Sequence, residues 1–211
     1  MSVSDLLDPL LDPTHKGFPH HSPPLRRSQV GAQGWNVLAG DLPLPLAVIR
    51  RDSLQHNLGW MQRYVEGQGL GLAPHGKTTM SPQLFAQQLD AGAWGLTFAN
   101  VAQARVGVAA GARRILIANQ VVQPADLQGL AAMRREHPGL RVWFLLDSPA
   151  QLTLIERTPA GPPFEVLLEL GLAGGRTGCR THEQALALAR LAHASPAVRL
   201  AGIECYEGLA A

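Results

Sequence analysis

The segment Phe164-Glu165-Val166-Leu167-Leu168-Glu169-Leu170 is followed along the chain by Thr181-His182-Glu183-Gln184. The first segment is an almost continuous apolar run, which is typical of a strand that is buried on both faces of a parallel sheet. The second is a capping box, the signal that opens a helix. A buried strand that leads into a capped helix predicts a βα unit, and repetition of such units determines the fold class.

The same alternation extends over most of the chain. Helix-start signals recur at Ser81-Pro82 and Ser148-Pro149, where serine is a favoured N-cap and proline a favoured first helical residue. Gly92 and Gly111 follow apolar helical stretches and are predicted to end them. The predicted strands are Leu46–Ile49, Leu70–Ala73, Trp94–Phe98, Ile115–Ala118, Val142–Leu146, Phe164–Leu170 and Leu200–Cys205.

These units predict an α/β fold, a (β/α)8 TIM-type barrel with about seven of its eight strands present. The barrel would span residues 46–211, and the proline-rich residues 1–45 would form an irregular N-terminal extension. A doubly wound sheet is the alternative, but it favours a glycine-rich fingerprint after the first strand, and the sequence has none. A barrel would also bring together at one face the polar residues near the strand ends: Lys77, Asn100, Asn119, Asp147, Arg176 and Tyr206.

The composition excludes several classes of protein. Of the 211 residues, 46% are hydrophobic and 16% are charged, which excludes intrinsic disorder. The 18 basic residues nearly balance the 16 acidic ones, so we expect no nucleic-acid partner. Apolar runs of about 18 residues are missing, and we therefore expect no membrane partner. With only two cysteines and no secretory signal pattern, the protein is expected to be cytoplasmic and without a disulfide framework.

Lys77 lies in the most informative stretch, Ala73-Pro74-His75-Gly76-Lys77-Thr78-Thr79-Met80-Ser81-Pro82, between a predicted strand and a capped helix. A lysine that is buried at the mouth of a barrel loses hydration, which favours its neutral, nucleophilic amine. Such an amine can form a Schiff base with a carbonyl compound. The alternative is an ordinary lysine on a solvated loop, with its charge in water.

The motif Ala73-Pro74-His75-Gly76-Lys77-Thr78 resembles the lysine motif of the fold-type III pyridoxal-phosphate enzymes. This family includes the alanine racemase N-terminal domain, D-threonine aldolase and D-serine dehydratase. The sequence is most similar to the bacterial amino acid deaminase branch, because Ala73 and Thr79 stand where aldolases and dehydratases often have Arg and His. Other stretches that agree in order and spacing are Asp41–Val48, Gln88–Gly95, Leu116–Gln120, Gly174–Gly178 and Glu204–Gly208.

The resemblance implies roles for individual residues. Lys77 would form the Schiff base with the cofactor and then move protons at the substrate Cα, and Tyr206 would be a second catalytic residue beside the cofactor. Arg176 would hold the cofactor's phenolic oxygen in its anionic form. His75 and Asn119 are further candidates for binding the cofactor, His75 because it shares strand parity with Lys77.

Each of these residues also has a structural interpretation. Arg176 could pair with an acid such as Glu169, and Tyr206 could be a packed aromatic residue with a satisfied hydroxyl group. His75 could serve a purely structural purpose. Asn119 could be a turn residue that opens the next helix.

The resemblance implies a pyridoxal 5′-phosphate-dependent lyase or deaminase that acts on small D-amino acids of the D-serine or D-threonine type through the Lys77 Schiff base. Dehydration, Cα–Cβ cleavage and racemisation are all open outcomes for this chemistry. A divalent metal would assist as a Lewis acid, with its ligands outside this chain, and a homodimer is open. Because about one strand of the barrel is missing, the chain is expected to be truncated at its C-terminus. The alternatives are a non-catalytic pyridoxal-phosphate-binding barrel, or an inactive fragment of the full-length enzyme.

Overall fold

Five parallel strands form the central sheet, and each pairs with the next strand along the chain. The computed structural model describes residues 3–158 and 161–208. The helices are α1 (Val3–Leu7), α2 (Arg51–Gly67), α3 (Pro82–Asp90), α4 (Val101–Ala109), α5 (Pro124–Glu136), α6 (Pro149–Glu156) and α7 (His182–Ala194). The strands are β1 (Leu10–Leu11), β2 (Leu25–Arg26), β3 (Leu96–Phe98), β4 (Arg114–Gln120), β5 (Arg141–Leu146), β6 (Phe164–Leu170) and β7 (Val198–Cys205).

The strand order distinguishes a barrel from a doubly wound sheet. The central sheet runs β3-β4-β5-β6-β7, with one helix between successive strands and no reversal of order. A doubly wound sheet reverses its strand order at a switch point, whereas the wall of a (β/α)8 barrel does not. The predicted α/β barrel class is therefore confirmed, and the described residues form part of a barrel.

The two faces of the sheet differ because strand side chains alternate. Ile117 and Phe144, which are neighbours in the β4–β5 register, are fully buried in the core that the sheet forms with its helices. On the opposite face, Leu116 and Trp143 are register neighbours and line a cavity of about 250 Å³ together with Leu167. This opposite face is the interior side of the partial barrel.

Two of the seven expected strands do not form. Leu46–Ile49 has no regular secondary structure, and its apolar side chains Val48 and Ile49 are exposed. Leu70–Ala73 lies beside β3, where the Leu72 carbonyl oxygen accepts a hydrogen bond from the Trp94 backbone amide at 2.7 Å. The ladder does not continue regularly because the next residue, Pro74, has no amide hydrogen to donate.

The predicted helix-start signals are confirmed by their hydrogen bonds. The Ser81, Ser148 and Thr181 hydroxyl oxygens each accept a bond from the amide three residues on, which satisfies a donor left open by the helix. The side chain of Gln151 reaches one residue further back than in a standard capping box, since it accepts from the Asp147 amide.

The N-terminal extension is irregular, as predicted, but it is held by specific contacts. Its short helix α1 ends at Leu7, before Pro9, and β1 pairs antiparallel with β2. The Asp8 carboxylate accepts hydrogen bonds from the amide and hydroxyl groups of Ser28 at 2.7 and 2.9 Å. The extension is connected to the partial barrel by Gln83 on α3, whose Nε2 donates to the carbonyl oxygen of Leu7 at 3.1 Å.

The helices of the described residues are short or polar, and none of them could cross a membrane.

Candidate functional site

The carboxyl ends of the parallel strands meet at one edge of the sheet, and the predicted site residues lie there. Asn119 is at the end of β4, while Arg176 follows β6 and Tyr206 follows β7. His75 and Lys77 belong to the segment beside β3, where His75 forms an isolated parallel bridge with Thr97. All five predicted residues are therefore on the face where barrel active sites form.

The lysine turn, Gly76–Thr78, is a single turn of 3₁₀-helix packed on the core. Gly76 is buried, and a Cβ at this position would lie 2.5 Å from the Phe98 ring and 2.9 Å from the Phe85 ring. Only glycine fits without displacing one of these rings. The turn closes with a hydrogen bond from the Met80 amide to the Gly76 carbonyl oxygen at 2.9 Å. The backbone of Lys77 is therefore held in place from both sides.

The expected burial of Lys77 is wrong for this structure. Its side chain is exposed, because the turn presents residues 77–79 outward while Gly76 packs inward. The amine is therefore in contact with solvent. What the structure provides is a fixed backbone position for Lys77 beside the end of β3.

The charges of both predicted cations act on His75. Its pKa is lowered by partial burial first, and then by the positive charges of Lys77 and Arg176. Lys77 is two residues from His75 along the chain, whereas Arg176 belongs to the loop that follows β6. The neutral imidazole is therefore favoured, and the ring can accept a proton or a hydrogen bond.

Arg176 is held against an aromatic face. Its Cζ atom lies 4.3 Å from the centroid of the Tyr206 ring, which is a cation–π arrangement. Among the described residues no ion pair joins Arg176 to Glu169, so that structural interpretation is not what the structure shows. Stacking leaves the guanidinium N–H groups free to donate to an anion. Tyr206 is 47% exposed, so it is not the packed core aromatic of the alternative interpretation.

Asn119 has a local structural role. Its Nδ2 donates to the Ala99 carbonyl oxygen at 3.4 Å, and its Oδ1 accepts from the Gln120 amide at 3.1 Å. It is the last residue but one of β4 and does not open a helix. The side chain is exposed at the same edge as the other candidates.

A polar network beneath the Arg176 loop was missed at the sequence level. Gln120 Nε2 donates to Asp147 Oδ2 at 3.0 Å and also to Glu169 Oε2. Glu169 is only 1% exposed, and its Oε1 accepts from the Thr177 hydroxyl at 2.5 Å. The Gly178 amide donates to Asp147 Oδ2 at 3.1 Å. The loop that carries Arg176 is thus tied to β4, β5 and β6 at once. A glutamate inside the apolar run of β6 was the signal that could have revealed this network.

Glu204 is the unusual member of this region. It lies beside Glu169 in the β6–β7 register, and its buried Oε2 has no hydrogen-bond partner among the described residues. Burial raises the pKa of Glu204, the charge of Glu169 raises it further, and Arg176 opposes both effects. Protonation is therefore more favourable than for a glutamate in water, since it avoids two negative charges on neighbouring strands.

Because folding raises the pKa of Glu204, its contribution to stability is present at low pH and is lost as the pH rises through the raised pKa. The variant Glu204→Gln cannot ionise. We expect its free energy of unfolding to fall less than that of the wild type as the pH rises from the ordinary value of 4.5 through the raised pKa, as measured by urea unfolding. Glu207→Gln, at an exposed glutamate nearby, is the control and should follow the wild type. Equal pH dependence in wild type and Glu204→Gln would contradict the assignment.

The residues around Arg176 also form a small pocket that includes Glu169, Gly175, Thr177 and Tyr206. Its free space of about 20 Å³ is room for about one water molecule. Lys77 is not part of its wall. Within residues 3–158 and 161–208, no three His, Cys, Asp or Glu side chains are grouped so that they could hold a metal ion.

The chain is similar to a known protein family and to several characterised enzymes. The family described as alanine racemase, N-terminal domain, matches residues 49–211. A D-threonine aldolase from Arthrobacter sp. is 32% identical over 166 residues, which are 78% of this chain and 43% of that protein. A D-threo-3-hydroxyaspartate dehydratase from Delftia sp. strain HT23 is 34% identical over 171 residues, 79% of this chain and 44% of that protein.

Solved structures show the same likeness. The D-threonine aldolase from Filomicrobium marinum superposes with a TM-score of 0.74 at 27% identity, over 80% of this chain and 45% of that one. The alanine racemase from Bacillus anthracis superposes with a TM-score of 0.60 over 75% of this chain and 42% of that one, and at 18% identity it shows the fold alone. The chain spans less than half the length of the relatives that it matches.

Proposed function

The chain belongs to the alanine racemase N-terminal domain family, and from that premise we propose that it is the lysine-bearing part of a pyridoxal 5′-phosphate-dependent lyase for small D-amino acids. The observation that carries the proposal is the placement of Lys77, on the fixed Gly76–Thr78 turn beside the end of β3, and of Arg176, stacked on Tyr206, at the same carboxyl edge of the sheet. The relatives named D-threonine aldolase and D-threo-3-hydroxyaspartate dehydratase support the substrate class.

The residues present fit this cofactor chemically. An exposed amine on a fixed turn suits covalent attachment to an aldehyde, and a guanidinium suits an anionic ring oxygen. Glu204, with its buried oxygen left without a partner, adds a group that can hold a proton beside Arg176. When bound, pyridoxal 5′-phosphate supplies an electron sink for negative charge at the substrate Cα.

Different side chains of this chain would then bind the cofactor, orient it and transfer protons. Lys77 Nζ would hold the cofactor and later accept or return a proton at the substrate Cα. Arg176, kept flat on Tyr206, would orient the cofactor ring by donating N–H groups to its anionic oxygen. His75, favoured in its neutral form, would accept a hydrogen bond from a cationic neighbour at the same edge of the sheet. Asn119 would provide a further amide at the end of β4.

A product assay tests the proposal. The chain is incubated with pyridoxal 5′-phosphate and either D-threonine or D-threo-3-hydroxyaspartate, with and without Mn²⁺. Glycine with an aldehyde would identify cleavage, and a keto acid with ammonia would identify dehydration. We expect one of these product pairs from the D-isomer and none from the L-isomer, which is the matched control.

Failure of this assay is informative in two ways. Cofactor binding without any product would favour a non-catalytic pyridoxal-phosphate-binding barrel, or an inactive fragment of the full-length enzyme, over a chain that is active by itself. Absence of cofactor binding would contradict the proposed function. The cytoplasmic location, the homodimer and the lack of nucleic-acid or membrane partners stay predictions of the sequence.

A further inference from the structure

We propose that the opposite end of the sheet carries a second binding site, for a small ligand with two or more linked phosphate groups. The site is the basic cleft, a cavity of about 390 Å³ whose walls include Trp94, Arg113, Arg114 and Arg141. Arg114 and Arg141 are the first residues of β4 and β5, so the cleft lies at the amino ends of the strands. A strand of this length separates it from the candidate site by roughly 20 Å.

The charge of the basic cleft is unbalanced. Three guanidinium groups line it, and no acidic side chain is part of its wall. Arg141 is already engaged by Glu165, to which its Nε and Nη2 donate at 3.1 and 2.5 Å, and Glu165 also pairs with Arg199. Among the described residues, the cations of the cleft that have no acidic partner are Arg113 and Arg114. Arg113 is exposed and forms no side-chain hydrogen bond or ion pair within the described part of the chain. Crowding like charges costs free energy, and a bound anion would relieve that cost.

The guanidinium groups are oriented by aromatic rings and by the backbone. The Arg114 Cζ lies 5.5 Å from the Trp94 ring centroid, and the Arg141 Cζ lies 4.5 Å from that of Trp143. The Arg141 amide also donates to the Arg113 carbonyl oxygen at 2.9 Å, which ties the two loops together. Stacking on Trp94 restricts the Arg114 guanidinium while leaving N–H groups at its edge to donate, whereas two donors of Arg141 are already bound to Glu165. Such restriction lowers the entropy that must be lost when an anion binds.

The dimensions and composition favour a small ligand. The volume lies in the range of small-molecule sites, about 300–1,000 Å³. Linked phosphates carry several negative charges and acceptor oxygens within a short span, which matches neighbouring guanidinium groups better than a single carboxylate does. A nucleic acid needs an extended basic face, and the chain as a whole has a net charge of only +2. Trp94, which is 41% exposed, adds an apolar wall beside the charges.

Titration of the full chain with inorganic pyrophosphate tests the proposal. We expect saturable binding, seen as a change in tryptophan fluorescence and as a rise in Tm. Arg113→Gln removes a charge from a side chain without a described partner, so folding should be unaffected, and we expect its Kd to be about tenfold weaker. Arg114→Gln should weaken binding to a similar extent. Arg105→Gln is the matched control, because Arg105 pairs with Glu136 and does not line the cleft.

Three results would overturn the proposal. The first is an unchanged pyrophosphate Kd in both Arg113→Gln and Arg114→Gln. The second is loss of binding in Arg176→Gln with full binding in Arg113→Gln, since pyrophosphate would then occupy the candidate cofactor site. The third is tighter binding of a single-stranded oligonucleotide than of pyrophosphate, in a manner that depends on Arg113 and Arg114. None of these readouts depends on enzymatic activity, so failure here is distinguishable from failure of the proposed lyase function.

Discussion

Replacement of Lys77 by alanine is expected to abolish covalent attachment of pyridoxal 5′-phosphate to the chain. The sequence holds only two lysines, Lys16 and Lys77, so few amines compete for the aldehyde. Borohydride reduction followed by peptide mass mapping would locate the attachment. We expect the wild type to carry the reduced cofactor on the peptide that contains Lys77, and the variant to carry none and to lose the visible absorbance of the bound cofactor.

Lys16→Ala is the matched control for this experiment. Lys16 is also exposed, but it lies in the N-terminal extension, far along the chain from the strand ends. Its loss should leave the attachment unchanged. Lys77→Arg keeps the positive charge near His75 but removes the nucleophilic amine, so it should behave like Lys77→Ala. Equal labelling of Lys16 and Lys77 in the wild type would contradict a site-specific role, because it would indicate reaction with any exposed lysine.

The parts of the site that could be predicted from sequence are those encoded locally. Lys77 lies within a motif of six residues, and Ser81 with Pro82 marks the start of the next helix. Such signals depend only on residues that are adjacent in the chain, so they can be recognised from the sequence alone. The exposure of Lys77 cannot be predicted in this way, because it depends on how Gly76 packs against Phe98.

The polar network could not be predicted for a related reason. Gln120 and Glu169 are 49 residues apart, and their contact depends on the register of three strands.

The strand predicted at Leu46–Ile49 failed for a similar reason. Its apolar character favours a strand, but a strand also needs a partner strand to pair with. No regular ladder forms beside this segment in the described residues. Composition indicates which residues can be buried, while the pairing of strands decides which of these residues are buried in the fold.

The second large effect is expected at Phe98, which connects the core to the lysine turn. Its ring is fully buried and meets the Phe85 ring edge-on, with centroids 5.5 Å apart. A Cβ on Gly76 or on Gly107 would lie within 2.5 Å of the Phe98 ring, so the ring fills the space between the turn and α4. Phe98→Ala should therefore leave a cavity and reduce the free energy of unfolding by about 3–5 kcal/mol, as measured by urea unfolding.

The same variant should also loosen the lysine turn, since the turn would lose the surface on which Gly76 packs. We expect slower covalent attachment of pyridoxal 5′-phosphate under native conditions, although Lys77 itself is unchanged. Phe18→Ala is the matched control, because Phe18 is also buried but packs against Trp35 in the N-terminal extension. It should lower stability without changing the attachment rate. If Phe98→Ala lowered stability yet left that rate equal to the rate in Phe18→Ala, the turn would not depend on the aromatic core beneath it, and the positioning of Lys77 would need another source.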